Sequence, residues 1–470
     1  MSVTSAEESR EPRRNEGPPP DRSDPTVLVL TAVTAVAAAL LVRFLLLEYE
    51  SPDWYRFLGP WYRYITEQGG FHALGNADFS DYNVPYLYLM AALTYLPVPA
   101  MAGVKCLSIL FDLALAHYTY RIVALQSPHR PRRALTAAVI VLFLPTVVTN
   151  SGWWAQSDAV FTTFLVAGVY HLLRDRPWWT CSLFGIALAF KLQAVFLFPL
   201  LLVAVLTRWI PWRSLLAVPA VYVALDVPAV LLGSDPWQLL TVYVRQTGTY
   251  QDLTLNAPTV YQFVSVPYGE EDPVRRAGVL IAGLLVLALI WPAVRAVRRI
   301  SRAQPEDRTA GDARTAPTAT VVLLLATAFA ITVPFLLPSM HERYFYVADI
   351  LSVLAAFRRP RRLWYLPVLV QLSSFGSYLK FIAPGVAPYL SMPAHGVLML
   401  LALIAVLRST ARELVIHPGG VHARCPGRRV GESVAGGGRV PAGALPGLLE
   451  REFDIALGAE DSAGLIARYE

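Results

Sequence analysis

The sequence predicts an all-α membrane protein that crosses the bilayer about twelve times and carries long external loops with short helices. Three observations lead to this fold class. Hydrophobic residues make up 55% of the 470 residues, and the mean hydropathy of +0.45 is one that soluble proteins of this size rarely reach. Twelve apolar stretches fill most of residues 26–408, and arginines cluster in every second loop between them.

The apolar stretches divide the chain into spans and loops. A straight crossing needs about 20 apolar residues, and several of the stretches are shorter than that. The apolar segment from Leu87 to Leu96 is shorter still, and we expect it to form a helix at the outer surface. The predicted spans are 26–48, 102–122, 134–150, 158–173, 178–190, 192–207, 214–232, 276–294, 318–337, 344–357, 363–382 and 393–408.

Arginine placement predicts the orientation of the bundle, because basic loops favour the cytoplasmic side. The arginine clusters lie at 121–133, 174–176, 208–213, 295–314 and 358–362. We therefore expect both termini in the cytoplasm and the two long loops, 49–100 and 233–275, outside the cell. The abundance of Arg, Ala, Pro and Gly is typical of a GC-rich bacterial genome, so a bacterial plasma membrane is the expected location.

Both ends of the chain differ in composition from the transmembrane domain at 26–410. Residues 1–25 are polar and Pro-rich, without the apolar core of a signal peptide, and we expect a disordered cytoplasmic tail. Residues 411–470 are Gly-rich, and we expect a tail without a fold. The net charge of +6 comes from short loops between spans, which argues against nucleic-acid binding. The three cysteines form no CxxC pair, so the sequence suggests neither a disulfide framework nor a zinc site.

The first candidate for chemistry is Asp53, which follows the first predicted span by a few residues and precedes Trp54 and Tyr55. A carboxylate kept at a membrane surface is a functional candidate, and this one could act as a general base toward a hydroxyl. The alternative is structural, since Ser51 or Asp53 would also cap the aromatic helix that follows. The sequence leaves both interpretations open.

The same loop contains the motif Asp81-Tyr82-Asn83-Val84-Pro85-Tyr86. Pro85 favours an extended backbone at the preceding residue and can open a helix, which Asp81 or Asn83 would cap. Tyr82 and Tyr86 fit either an interfacial aromatic belt or stacking on a sugar ring.

Two further motifs lie at the predicted outer ends of spans. In the Trp-rich hairpin 150–158, the structural interpretation is that Ser157 and Asp158 begin the next helix. The functional interpretation is that Gln156 and Asp158 face the same cavity as Asp53. In Phe190-Lys191-Leu192-Gln193, the lysine would either snorkel to the interface or bind an anionic lipid headgroup.

The motif His341-Glu342-Arg343-Tyr344 is not an HExxH zinc site, because position 345 is phenylalanine. Arg343 beside His341 suits a phosphate, whose oxygens arginine binds in a fork geometry. The alternative is an exposed loop with an internal ion pair. A weaker candidate of the same kind is Arg245, which accompanies Tyr243, Tyr250 and Tyr261.

Asp112 lies inside the second predicted span, where a carboxylate must be paired or neutralised. It would either stabilise the packing of helices or hold a residue of an external loop. The sequence does not decide between these roles.

Taken in chain order, these motifs resemble those of the GT-C superfamily of membrane glycosyltransferases. The resemblance is to bacterial relatives of the GPI mannosyltransferase II type, with a layout similar to that of dolichyl-phosphate-glucose-dependent glucosyltransferases. It covers about residues 26–408. The motifs that carry it are Asp53, Asp81-Tyr82-Asn83-Val84-Pro85-Tyr86, Asp112, the hairpin ending at Asp158, Phe190-Lys191-Leu192-Gln193 and His341-Glu342-Arg343-Tyr344.

This resemblance implies inverting transfer of a hexose, with mannose favoured, from a polyprenyl-phosphate sugar to a lipid, glycan or protein acceptor on the extracytoplasmic face. By position, Asp53 is the expected general base, with Asp81 as second choice. The leaving phosphate would meet Lys191, His341 and Arg343. The residues agree with a lipid-linked donor, because the sequence contains neither a Gly-rich nucleotide loop nor a cytoplasmic DxD pair. Metal dependence stays open, since Asp53, Asp158 and Glu342 would suit Mg²⁺ or Mn²⁺.

The competing class is a transporter or lipid flippase, which also needs about twelve spans and intramembrane charges. Transporters usually place charged and helix-breaking residues near the midplane of paired repeats, whereas the charges here sit at the outer rim. A non-catalytic membrane scaffold is the third class, and the intact set of acids and cations argues against it.

Overall fold

The described part of this computed structural model covers residues 24–246, 251–267, 269–302 and 318–416, and α-helices make up most of it. The predicted all-α fold class is confirmed. A parallel pair of two-residue strands, β1 (Thr254–Leu255) and β2 (Met340–His341), accompanies the helices. The helices are α1 Pro25–Phe44, α2 Gly59–Glu67, α3 Val84–Leu93, α4 Ala100–Gln126, α5 Pro131–Leu142, α6 Pro145–Val148, α7 Asp158–Leu173, α8 Pro177–Phe190, α9 Phe198–Leu206, α10 Ala217–Leu231, α11 Pro236–Gln246, α12 Glu271–Arg302, α13 Ala319–Leu336, α14 Tyr346–Arg358, α15 Pro360–Leu363, α16 Leu366–Ile382 and α17 Met392–Ile416.

Each stretch predicted as a span is helical. Six helices are long and apolar enough to cross a membrane, and the pair Pro131–Leu142 and Pro145–Trp153, bent by 50°, would make a seventh. The bend falls at Pro145, which has no N–H to continue the ladder of α5. The remaining stretches form shorter helices, so the count of twelve spans stays a prediction.

The centre of the bundle is formed by helices that are apolar all round. In α13, 83% of the membrane-length window is buried inside the protein, against 11% in α1. The helix contains no charged residue, and an all-round apolar helix is expected in the interior. The bundle therefore surrounds α13, with α1 at its periphery.

The short apolar segment after the Asp81 motif is helical, as predicted, but the helix α3 begins at Val84 and ends at Leu93. Its place at the outer surface stays a prediction. The Asn83 side chain accepts a hydrogen bond from the Val84 amide at 2.9 Å, and Pro85 occupies the first turn. Asn83 is therefore the helix cap. The side chains of Val84, Leu87 and Met90 are fully buried, because α3 packs against α2, α8 and α10.

The predicted tails lie almost wholly outside the described residues, which begin at 24 and end at 416. The helix α17 continues to Ile416, six residues past the predicted boundary at 410, and the boundary itself stays a prediction. Residues 411–416 extend the helix with apolar and charged side chains before the Gly-rich stretch begins.

The strand pair joins two distant parts of the chain. Leu255 pairs with His341, and the Ser339 amide donates to the Leu253 carbonyl at 2.8 Å. The loop between α11 and α12 is thereby fixed to the segment between α13 and α14. This contact brings His341, Glu342 and Arg343 toward the end of the bundle that carries Asp53.

Candidate active site

Residues from the first loop, the Trp-rich hairpin and the two basic motifs line one cavity of about 750 Å³. This volume lies in the usual range for a small-molecule site. The predicted site residues in its wall are Asp53, Asp81, Tyr82, Gln156, Lys191, His341, Glu342 and Arg343. Segments that lie far apart in the sequence therefore meet at one place.

Asp53 is buried in the cavity wall, with 9% of its surface exposed. The Trp154 indole donates to Asp53 Oδ2 at 2.9 Å, and the Gln156 amide donates to the same oxygen. Capping is done by Ser51, whose hydroxyl accepts from the Trp54 amide at 3.2 Å, whereas Asp53 makes no side-chain capping bond. The described hydrogen bonds of Asp53 all reach Oδ2, which leaves Oδ1 to accept a proton.

Two single-turn π-helices, called π turns below, lie next to residues of this site. One, Trp54–Leu58, directly follows Asp53, and the other, Thr149–Trp153, directly precedes Trp154. Such turns are uncommon and occur frequently at functional sites. Between Trp154 and Gln156, the buried Ala155 adopts a left-handed φ of 65°, which costs an L-residue about 1–2 kcal/mol. This turn lets both neighbours of Ala155 donate to the same oxygen.

Arg343 lies at the centre of the acidic side chains. Its guanidinium is 3.8 Å from Asp53 Oδ2, 3.6 Å from Asp158 Oδ2 and 3.6 Å from Glu342 Oε1. Its buried Nε makes no hydrogen bond within the described structure, so a donor remains for an incoming acceptor. Glu342 is only 2% exposed, and the alternative of an exposed loop is therefore wrong.

Lys191 forms the second cationic position. Its Nζ is 2.6 Å from Asp158 Oδ1, and the other carboxylate oxygen accepts from Asn150 at 2.8 Å. Asp158 occupies the first turn of α7, where the helix dipole also favours a negative charge. Lys191 Nζ lies 5.5 Å from the centre of the Tyr82 ring and is buried, so the lysine does not snorkel away from the cavity.

Burial changes the protonation of the two neighbours of Arg343. Burial raises the pKa of Glu342 to about 7, with Asp53 and Asp158 adding to the effect and Arg343 opposing it. Burial and the positive charges of Arg343 and Lys191 lower the pKa of His341 to about 2. The imidazole is therefore neutral and adds no positive charge to the cavity wall.

The remaining predicted residues take part in none of the described hydrogen bonds or ion pairs of Asp53. The Asp81 side chain is exposed at the cavity wall, and its carbonyl accepts from Gln246. Tyr86 is buried behind Tyr82, with ring centres 5.3 Å apart. Arg245 donates to the Gln238 carbonyl at 2.9 Å on its own helix and is outside the cavity lining. Tyr250 lies outside the described residues.

Asp112 combines the two roles that the sequence left open. It pairs with Arg43 of α1 at 2.9 Å, and it accepts a hydrogen bond from Ser151 of the hairpin at 2.6 Å. Sequence reasoning missed Arg43 as a functional residue, although a charged side chain inside a predicted span is itself a signal. It also missed Trp154, whose indole N–H needs a partner when buried.

Asp53 and Glu342 of the cavity wall, and Asp158, which is buried outside the cavity lining, have cations as partners. Across the described ranges, no three His, Cys, Asp or Glu side chains come together as a metal site requires. Asp53, Asp158 and Glu342 instead surround Arg343.

The comparison with protein families identifies the chain. The model of glycosyltransferase family 87 matches residues 79–325, more than half of the sequence. The chain belongs to glycosyltransferase family 87. It is a membrane glycosyltransferase, as the resemblance in the sequence implied. The family match covers the motifs from Asp81 to Lys191, whereas Asp53 precedes it and Arg343 follows it.

Two further comparisons, with curated proteins and with solved structures, do not extend the assignment of this family 87 member. No curated protein matches the chain significantly. Among solved structures, the chain is similar to ArnT from Cupriavidus metallidurans bound to undecaprenyl phosphate, with 14% identity and a TM-score of 0.46. That similarity covers 84% of this chain and 78% of ArnT.

Proposed function

We propose that this family 87 enzyme transfers a hexose, with mannose favoured, from a polyprenyl-phosphate sugar to an acceptor hydroxyl on the extracytoplasmic face, with inversion. One observation carries the proposal. A single cavity holds a buried carboxylate with one oxygen free for a proton, Asp53, together with two buried cations, Lys191 and Arg343. These are the groups that a displacement with a phosphate leaving group requires.

The proposed reaction is a single displacement at the anomeric carbon. Asp53 Oδ1 takes the proton of the acceptor hydroxyl while the hydroxyl oxygen bonds to the anomeric carbon from the face opposite the phosphate. The bond between that carbon and the phosphate oxygen breaks, and its electrons stay on the phosphate. Lys191 and Arg343 stabilise the charge that develops there. The Nε–H of Arg343, which makes no hydrogen bond within the described structure, can donate to the phosphate. Asp53 later returns its proton to water.

The rest of the lining favours a lipid-linked donor. The cavity wall includes apolar side chains from the segment after Lys191, from α12 and from the end of α13: Leu192, Val195, Phe196, Val279 and Leu337. Such a surface suits the first isoprene units of a polyprenyl chain, because apolar contact is favourable in proportion to the area buried.

Sugar transfer in membranes that contain the wild-type protein tests the donor class. Radiolabelled mannose, glucose and arabinose would each be supplied as a polyprenyl-phosphate sugar, and mannose also as its nucleotide sugar. We expect label to pass from polyprenyl-phosphate mannose to a membrane acceptor. Transfer from the nucleotide sugar alone would overturn the donor assignment. Absence of transfer from every one of these donors would overturn the proposed reaction.

Glu342 predicts a pH dependence of donor binding. Its pKa of about 7 means that the carboxylate is largely protonated at pH 6 and largely ionised at pH 8. The ionised form adds a negative charge beside Arg343, 3.6 Å away, and so opposes an anionic phosphate. We expect the KM for the donor to rise above pH 7, by at most about tenfold per pH unit, because binding is linked to one proton.

The variant Glu342→Gln should remove this slope and hold the donor KM nearly constant between pH 6 and pH 8. Glu67→Gln is the matched control, because Glu67 is exposed and lies outside the cavity lining, and it should keep the wild-type slope. A slope that persists in Glu342→Gln would assign the titration to another group.

A further inference from the structure

Three polar side chains lie fully buried on one face of α4. Lys105, Ser108 and Asp112 follow one another at spacings of three and four residues, which places them on the same side of a helix. Polar groups inside an apolar bundle are expensive unless they serve packing or function. We call these three residues the α4 polar face.

Lys105 holds the chain that leads from α1 to Asp53. Its Nζ donates to the carbonyls of Leu46, Leu47 and Tyr49, at 2.8, 3.1 and 2.6 Å. The three donors of the ammonium are thus matched by three backbone acceptors just beyond the end of α1. This segment ends four residues before Asp53, so Lys105 fixes the direction from which Asp53 enters the cavity wall.

Ser108 and Asp112 hold the hairpin that orients the Asp53 carboxylate. The Ser108 hydroxyl donates to the Gln156 carbonyl at 2.8 Å, and Asp112 Oδ2 accepts from the Ser151 hydroxyl at 2.6 Å. These contacts bracket Trp154 along the chain. The α4 polar face therefore contacts both the segment that leads to Asp53 and the hairpin that donates to Asp53 Oδ2.

Both segments need such support because their backbones are not regular. The first segment leads directly into the π turn Trp54–Leu58, and the hairpin contains the π turn Thr149–Trp153 and the left-handed Ala155. Conformations of this kind persist only where surrounding contacts determine them. The Ser51 hydroxyl links the two segments directly, because it donates to the Trp154 carbonyl at 2.8 Å and accepts from the Trp54 amide at 3.2 Å.

We propose that the α4 polar face is a positioning surface for Asp53, so that its contacts set kcat rather than donor affinity. This inference rests on the proposed role of Asp53 as the base. The three residues are positioning residues, since none of them lines the cavity. A displacement of about 1 Å between reacting groups can cost up to about 10²-fold in rate, and loosening the hairpin would produce a displacement of that kind.

Ser108→Ala and Ser151→Ala test the inference, because each removes one hydroxyl and keeps the Arg43–Asp112 pair. We expect kcat for transfer from polyprenyl-phosphate mannose to fall about tenfold in each variant, while the donor KM changes less than about twofold. Thr119→Val is the matched control. Thr119 is also buried on α4, but within the described structure its hydroxyl donates to the Leu115 carbonyl of the same helix and to no other segment. We therefore expect kcat to stay at the wild-type value.

Hydrogen exchange gives a second measurement that does not depend on the substrate. In Ser108→Ala and Ser151→Ala, backbone amides of residues 149–157 should exchange about tenfold faster, while those of α7 and α8 keep wild-type rates. A purely structural role would lower the melting temperature and speed exchange throughout the bundle. Uniform acceleration of that kind would overturn the inference.

Different results would contradict the positioning role of the α4 polar face and the assignment of Asp53 as the base. If Asp53→Asn retains full activity, the assignment of the base is wrong. If Asp53→Asn is inactive while both serine variants keep wild-type kcat and wild-type exchange, the positioning role is wrong. A rise in donor KM with unchanged kcat would also overturn it, because the α4 polar face would then serve binding.

Discussion

Replacing Asp53 by asparagine should reduce sugar transfer by about 10²–10⁴-fold, the usual contribution of general-base catalysis. The amide has the shape of the carboxylate, and its oxygen can still accept from Trp154 and Gln156. The proton acceptor is lost while the cavity keeps its form. We therefore expect kcat to collapse and the donor KM to stay close to the wild-type value, measured as initial rates with polyprenyl-phosphate mannose.

Two other aspartates of the same loop provide comparison variants for this measurement. Asp78→Asn is the matched control, because Asp78 is exposed and lies outside the cavity lining, and its rate should equal the wild type. Asp81→Asn tests the second candidate of the sequence, which the structure leaves exposed at the cavity wall. Collapse of Asp81→Asn with full activity of Asp53→Asn would move the base to Asp81.

Replacing Arg343 by alanine should lower kcat by about 10²–10³-fold, since removal of one preorganised donor to a developing charge commonly costs that much. The same change leaves Asp53, Asp158 and Glu342 without their shared cation. Breaking a buried ion pair in this way destabilises a protein by about 3–5 kcal/mol. A lower melting temperature in detergent should therefore accompany the loss of transfer.

Arg343→Lys separates the two effects. Lysine keeps the positive charge but not the planar fork that suits phosphate oxygens. We expect its melting temperature to lie near the wild-type value and its kcat to remain at least tenfold low. Arg63→Ala is the control, because Arg63 is an exposed arginine outside the cavity lining. Wild-type kcat in Arg343→Lys and in Arg343→Ala would remove this residue from the reaction.

The fold could be predicted largely because apolar composition determines helices in a membrane. The predicted stretches all became helical, and the Leu87 segment became α3. The π turns at Trp54–Leu58 and Thr149–Trp153 could not be predicted, because they differ from α-helix only in which carbonyl each amide reaches. The strand pair was missed because two residues are too few to show alternation.

The site was predictable as a collection of motifs but not as a set of contacts. Placing the motifs at one end of the bundle suggested that Gln156 and Asp53 share a cavity, and they do. The charge states of His341 and Glu342 depend on burial, which a loop sequence does not reveal. Arg245 lies outside the cavity lining, and its side chain contacts its own helix, α11. No pattern in the loop sequence indicated that direction.

The Arg43–Asp112 pair also has a consequence for the synthesis of the chain. Its partners are 69 residues apart, which a ribosome adding about 5–20 residues per second takes roughly 3–14 s to make. During that interval α1 carries an arginine without its aspartate, and a long basic side chain of this kind can extend toward the water interface. The buried ion pair of the finished protein therefore forms only after α4 has been made.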